Sequence, residues 1–257
     1  MTDARELSET LGGRWLGTYG TAPCPVCQPE RRRDQNGLTL ADGGNGRLVL
    51  HCKKSACAFL DVLAAAGLRS GDYTPPDAAT LAQRERERHA EAQRKAEQAN
   101  RVWQEALPVA GTVAEAYLRG RGITCPLPAT LRFHGACWHG PTATRHPALV
   151  GLVEGAGMAA AHRTYLRPDG TGKAAIDPDK MMLGATAGGA VRLTQGPVLL
   201  VVAEGIETAL SLANGLLGRP ATVWAALSTS GIRGLHLPPQ PGRLTIAPDG
   251  DKPGREA

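Results

Sequence analysis

Apolar residues in "FLDVLAAAGL", just after Cys57, recur at helical spacing and stop at a Gly, which predicts a short amphipathic helix. The stretch "RSGDYTPPD" then interrupts the pattern with prolines and reads as a domain edge. From Ala78 to about Ala106 the apolar stripe almost vanishes, while strong helix formers and opposite charges recur three and four residues apart. That text predicts a solvated connecting helix whose last turns, at Val102 and Trp103, dock on the next region of the chain. Between Leu107 and Leu193, helical text ("TVAEAYLRGRGI") alternates with strand-like runs ("PALVGLVEG", "MAAAHRTYLR") and Gly-rich turns, an α+β pattern. Finally "PVLLVVAEG" is a near-continuous apolar strand, "IETALSLANGLL" a helix, and "RLTIAPDGD" another apolar strand, Leu244 to Ala247, read as buried. The order β, α, β, connection, β implies a mostly parallel sheet.

The fold class is therefore a multidomain mixture of α/β and α+β. Its expected parts are a cysteine-organised domain over 1–75, a charged helical linker over 76–106, a basic α+β region over 107–193 and an α/β sheet over 194–257. A chain of 257 residues is long enough to bury a core in more than one such unit. Aromatic side chains are scarce, so that core must be built from Leu, Val and Ala.

No apolar run approaches the length of a membrane span, and "MTDARELSET" lacks the charged-then-apolar layout of a secretory signal, so a cytoplasmic protein with no membrane partner is expected. The formal charge of +5 and a pI of about 9.0 favour an anionic partner. The surplus is carried mostly by Arg, whose planar fork donates two hydrogen bonds to one phosphate. There is no Walker A lysine motif, so no ATPase is expected within this chain.

Six cysteines without a secretion signal argue against a disulfide framework. Four of them form C-x2-C, a gap of 24 residues, then C-x4-C. Two close thiol pairs on either side of a hairpin-sized loop suit one tetrahedral zinc ion, a structural Zn2+ held by Cys24, Cys27, Cys52 and Cys57. A module this small buries little, so the metal would supply much of its folding free energy, on the order of 10 kcal/mol. His51 is a reserve ligand next to Cys52, and Cys125 and Cys137 read as packing residues or inert thiols. Arg31, Arg32 and Arg33 lie in the loop between the pairs, either as a grip on a DNA backbone or as a solvated loop.

Glu204 ends the first apolar strand of the last region, and Gly205 turns the chain into a helix. Sites in parallel sheets form at such carboxyl ends. Asp249 and Asp251 end the other strand two residues apart, so in extended backbone they face one side. Three carboxylates converging from two strands make sense around Mg2+ or Mn2+, which prefers oxygen ligands and serves phosphoryl transfer. Glu207, one turn into the helix, is a further candidate for that shell or simply complements the helix dipole.

The pair "VVAEGIETAL" and "LTIAPDGDKPG" resembles the Toprim fold, in which a strand-terminal Glu is followed at a distance by D-x-D and a Gly. The cysteine-rich start is similar to the zinc-binding domain of bacterial and phage DNA primases, although Cys27 stands where many relatives have His. "AEAYLRGRGI" and Ala159 to Leu193 resemble the basic subdomain that precedes Toprim in the primase core. The resemblance implies a zinc ribbon, then the basic subdomain, then Toprim. Glu204, Asp249 and Asp251 take the places of the catalytic metal-binding acids, and Arg163, Lys173 and Lys180 those of residues facing template or nucleotide. It implies a template-directed primase making short RNA primers on single-stranded DNA from ribonucleoside triphosphates. Toprim domains continue past D-x-D, so the resemblance further implies a sheet incomplete at its carboxy-terminal edge. It places the replicative helicase in a separate or missing carboxy-terminal domain, and leaves the activity of the shortened chain open.

Two other classes fit the same residues. A Toprim nuclease or topoisomerase would use the same acids, but DNA cleavage by a topoisomerase needs a tyrosine nucleophile, and none of the four tyrosines stands out. A non-catalytic zinc-dependent DNA-binding fragment would carry the acids as relics.

Overall fold

The computed structural model describes residues 2–249 other than Arg33, Asn45, Ser70, Gln240 and Pro241. The chain divides into two compact units, Met1–Ala90 and Glu91–Ala257. No helix among the described residues is long and apolar enough to cross a membrane.

The first unit opens with α1 (Ala4–Thr10), whose free N-terminal donors are met by Asp3: the Glu6 N–H donates to Asp3 Oδ1 at 2.9 Å. Strands β1 (Arg14–Trp15), β2 (Gly20–Ala22), β3 (Leu38–Asp42) and β4 (Leu48–Cys52) then form an antiparallel sheet in chain order. Helix α2 (Phe59–Ala65) follows the last cysteine, as its periodicity predicts. Leu7, Leu11, Leu38, Leu40 and Val62 pack with Cys24 and Cys52 into one small core, so the cysteine cluster is continuous with the apolar interior.

The long helix α3 (Ala78–Glu105) is not solvated throughout. Near its start, Arg84 pairs with both Asp3 and Asp42, reaching Asp42 Oδ2 at 3.1 Å. Asp42 Oδ1 also accepts from the Ala4 N–H at 2.9 Å and from Tyr73 Oη at 3.1 Å. The expected solvated helix is exposed over most of its length before residue 99, with Arg84 an exception. A single Arg among interleaved charges carries no sequence signal that its partners lie 42 and 81 residues away.

In the second unit the last turns of α3 bury Ala99 and Trp103 against Val150 and Ala161, the docking that Val102 and Trp103 predict. Next come β5 (Leu107–Pro108), α4 (Val113–Gly120), β6 (Leu131–His139), β7 (Thr144–Val153), β8 (Ala160–Tyr165) and β9 (Lys180–Leu183). The five strands form an antiparallel sheet in chain order.

The remaining elements include β10 (Val191–Thr194), β11 (Leu199–Ala203), α5 (Ile206–Ser211), β12 (Thr222–Ala225), α6 (Thr229–Arg233) and β13 (Arg243–Ala247). Their sheet runs β10-β12-β11-β13, with β11 parallel to both neighbours and β10 antiparallel at one edge. All five residues of β11 are buried, as befits a central strand covered on both faces. One core joins the two sheets of this unit: Leu131 and Leu149 pack with Val191, Val201, Ile206 and Leu210.

β13 departs from the expectation of a buried strand. Its apolar run suggests an interior position, yet Leu244 is 38% and Ile246 46% exposed. Among the described residues β13 pairs only with β11, so it is an edge strand.

Candidate functional site

The parallel pairing of β11 and β13 sets the site. Ala203 lies opposite Ala247, so the two strands end level. Glu204 follows one end, and Pro248 and Asp249 follow the other. Glu204 is half-buried, and its carbonyl accepts the Leu227 N–H at 2.7 Å. Leu227 holds a left-handed φ of +72°, a strained backbone for a branched residue, so this contact tightens the end of β12 around the Glu204 turn. Gly205 caps α5, and Thr208 in its first turn directs its hydroxyl at Asp249 Oδ1, 3.5 Å away. Asp251 lies outside the described residues.

Glu207 does not stand in the open beside these acids. It is buried, and its two oxygens are shared between two elements of the antiparallel layer: Tyr117 Oη on α4 donates to Oε1 at 2.9 Å, and Lys180 Nζ on β9 donates to Oε2 at 3.2 Å. Burial works against the Glu207 charge, but the Lys180 ammonium and the hydrogen bonds outweigh it and hold the carboxyl below its ordinary range. The Tyr117 phenol is shifted upward by burial and by the Glu207 charge, so it stays a donor.

The three basic residues implied by the resemblance have different surroundings. Lys180 is joined to Glu207. Lys173, paired in backbone with Leu166, reaches Asp179 Oδ2 at 3.0 Å. Arg163 is buried, and its guanidinium donates to the carbonyls of Trp138 at 3.3 Å and Met182 at 3.2 Å, inside the antiparallel layer. Its neighbour His162 is almost fully buried. Desolvation, reinforced by the Lys180 charge, pushes its pKa down to about 4, so it is a neutral imidazole at neutral pH.

In the first unit the four thiols predicted to act together do meet. The sulfurs of Cys24, Cys27, Cys52 and Cys57 all lie within 4.8 Å of one another, and Cys27 Sγ is 3.7 Å from Cys52 Sγ. Thiolates about 2.3 Å from a tetrahedral zinc ion would be spaced by about 3.8 Å, so the donor set fits. The turns that aim them are locked from outside. Gln28 Oε1 accepts from the N–H groups of Cys24 at 3.1 Å and Gly37 at 2.9 Å, while the Ser55 N–H points at Cys52 Sγ at 3.5 Å. Crowding makes the thiols unequal. Burial raises Cys52, but the N–H groups of Ser55, Cys57 and Lys54 outweigh it and bring it down to about 6. Cys57, pushed up by burial and by the other thiols, reaches about 12. A divalent cation among them removes this conflict by favouring all four thiolates.

His51 is exposed on β4 and outside the sulfur cluster. Cys137 is buried in an apolar cluster with Ala148 and Tyr165, and Cys125 packs partly against the main core, so both act as packing residues. Arg31 and Arg32 are exposed, with Arg32 3.5 Å from Asp34, and Arg33 lies outside the described residues.

Comparison with known families divides the second unit between β10 and β11, so that β10 of the second sheet falls almost wholly in the first match. Residues 199–257 match a family model described as the Toprim domain. This stretch is Toprim-like. Residues 93–193 match a family described as a domain of unknown function, DUF7146. No curated protein matches the chain, and no solved structure does. Toprim domains bind Mg2+ and are common in enzymes that act on nucleic acids. The Toprim match spans both the Glu204 and the Asp249 strand ends.

Tyr117 and Thr208 are the site residues that sequence reasoning passes over. Tyr117 sits at core spacing in an amphipathic helix, and its partner Glu207 is 90 residues away, so nothing local marks it.

Proposed function

We propose that this chain is a primase-like enzyme that makes short RNA primers on single-stranded DNA by metal-dependent nucleotidyl transfer. The observation that carries the reading is the level ending of two parallel strands, which sets Glu204 beside the Asp249 segment within the Toprim match. Glu204, Asp249 and Asp251 would hold Mg2+ or Mn2+, which when bound orients the attacking oxygen and neutralises charge on the phosphates.

In this reading Glu204 also accepts the proton of the primer 3'-hydroxyl as that oxygen attacks the α-phosphorus of a ribonucleoside triphosphate and pyrophosphate departs. Lys180 and Lys173 supply positive charge to the nucleotide phosphates or the template strand. Arg163, committed to carbonyls inside its sheet, supports the strand that carries it rather than touching template. Cys24, Cys27, Cys52 and Cys57 hold a structural zinc ion, and the domain they organise helps to select single-stranded DNA. The enzyme works on cytoplasmic DNA opened by a replicative helicase.

The test is primer synthesis by the 257-residue chain on a single-stranded template with ribonucleotides, with Glu204→Gln beside it. The expected result is Mg2+- or Mn2+-dependent oligoribonucleotides from the parent and none from the variant. Equal products from both, or nicking of duplex DNA in place of synthesis, overturns the reading.

A further inference from the structure

We infer that Glu207 is not a further metal-binding acid but the anchor that fixes the Lys180 ammonium beside the Glu204 turn, where it meets a phosphate of a nucleotide or nucleic-acid strand. The inference deepens the primase reading and rests on it for the identity of the anion.

Both Glu207 oxygens are already committed, one to Tyr117 Oη at 2.9 Å and the other to Lys180 Nζ at 3.2 Å. The Glu207 side chain is 8% exposed, and a buried charge persists where it is paired and hydrogen-bonded. A metal ion using Oε2 would place a second cation against the ammonium, which like-charge repulsion opposes. The pair sits at the site: a Cβ added to Gly205 would lie 3.7 Å from Glu207 Oε2, so the oxygen that holds Lys180 rests against the turn leading from Glu204 into α5.

Lys180 is suited to a second partner. An ammonium has three donors, and Glu207 engages one of them. Its side chain remains 34% exposed, so the charge is oriented from below and open above. The nearby carboxylate Asp179 is occupied by Lys173 at 3.0 Å, and His162, buried behind, is neutral. Tyr117, fixed in the core, sets the rotamer of Glu207 and through it the position of Lys180. Glu207 and Tyr117 are positioning residues in this scheme.

The experiment uses the full chain and the variants Glu207→Gln, Lys180→Met, Tyr117→Phe and Glu204→Gln, with three readouts. The first is acetylation of lysines by acetic anhydride, read by mass spectrometry. Lys180 should be labelled about fivefold faster in Glu207→Gln, since one charge-assisted hydrogen bond is lost, and about twofold faster in the milder Tyr117→Phe. The second is Mn2+ binding, expected to be within about twofold of the parent in Glu207→Gln but at least about tenfold weaker in Glu204→Gln. The third is binding of a fluorescent ribonucleoside triphosphate and, separately, of oligo-dT. Glu207→Gln and Lys180→Met should weaken the same probe by about tenfold each, and the double variant no further than Lys180→Met alone.

Which probe weakens tells nucleotide from strand. Unchanged Lys180 labelling in both Glu207→Gln and Tyr117→Phe overturns the anchor, as does a Mn2+ loss in Glu207→Gln as deep as in Glu204→Gln. Multiplying losses in the double variant do the same. A parent that binds neither probe overturns the phosphate assignment and the primase reading, while the labelling still decides the anchor.

Discussion

Ala203 and Ala247, 44 residues apart in the chain, are register partners on parallel strands, and this pairing places Glu204 beside the segment that carries Asp249. A slip of one residue would turn one strand's side chains to the opposite face of the sheet. The acids therefore depend on strand register for their proximity, and the register depends on the apolar patterns of β11 and β13.

Replacing Glu204 by Gln should remove metal binding without unfolding the domain. The residue is half-buried at a strand end, so the expected change in stability is within about 1 kcal/mol. Calorimetric titration with Mn2+ and a urea melt on the same sample separate the two effects. An unfolded variant contradicts the assignment of Glu204 to function.

The cysteine cluster should hold one zinc ion per chain by elemental analysis, and Cys27→Ser should hold none. Because that core is small and Cys24 and Cys52 belong to it, loss of the ion should unfold the Met1–Ala90 unit. Proteolysis should then cut within that unit and spare Glu91–Ala257. A Cys27→Ser chain as resistant as the parent rules out a structural metal.

Arg84→Ala should cost about 3 kcal/mol, because it leaves Asp3 and Asp42, each with a side chain 13% exposed, facing one another without their shared cation. Equilibrium urea unfolding measures the loss. Arg88→Ala, whose pair with Glu85 is exposed on the same helix, should change stability by less than about 0.5 kcal/mol.

The buried His162 predicts a pH dependence. Its pKa of about 4 in the folded chain lies below the roughly 6.5 of an unfolded histidine, so the unfolded state takes up the proton first as pH falls. Its contribution is fully present above pH ~6.5 and is lost between ~6.5 and ~4, in total about 3 kcal/mol. The depressed Glu207 carboxyl adds a loss at lower pH, beginning near the ordinary carboxylate range and ending below it. Urea melts at pH 7 and pH 4.5 should show a smaller drop for His162→Asn than for the parent. An equal drop would mean that His162 titrates alike in both states.

Much of this architecture was legible in local text. The helix after Cys57, the docking of α3 through Trp103, the central burial of β11 and the strand-turn-helix at Glu204 all follow from spacing within a dozen residues. The thiol pairs were legible because a metal site needs close ligands on short turns, and short turns are visible in sequence. By contrast, β13 carries the apolar run of an interior strand and sits at an edge, since burial depends on what lies beside a strand as well as on its own residues. Arg163 and Lys180 are both cations in the same region, yet one is enclosed in its sheet and the other opens to solvent.

By itself, then, the sequence determined which elements form and which residue types stand at their ends, because propensity, capping and apolar period act over one or two turns of chain. Only the tertiary structure decided which charges meet. Glu207 joined to Tyr117 and Lys180, and Arg84 joined to Asp3 and Asp42, are contacts across 27 to 90 residues, while the register of β11 with β13 sets Glu204 at the strand end next to the Asp249 segment. Electrostatic interaction depends on distance and burial in space, and neither is encoded in separation along the chain.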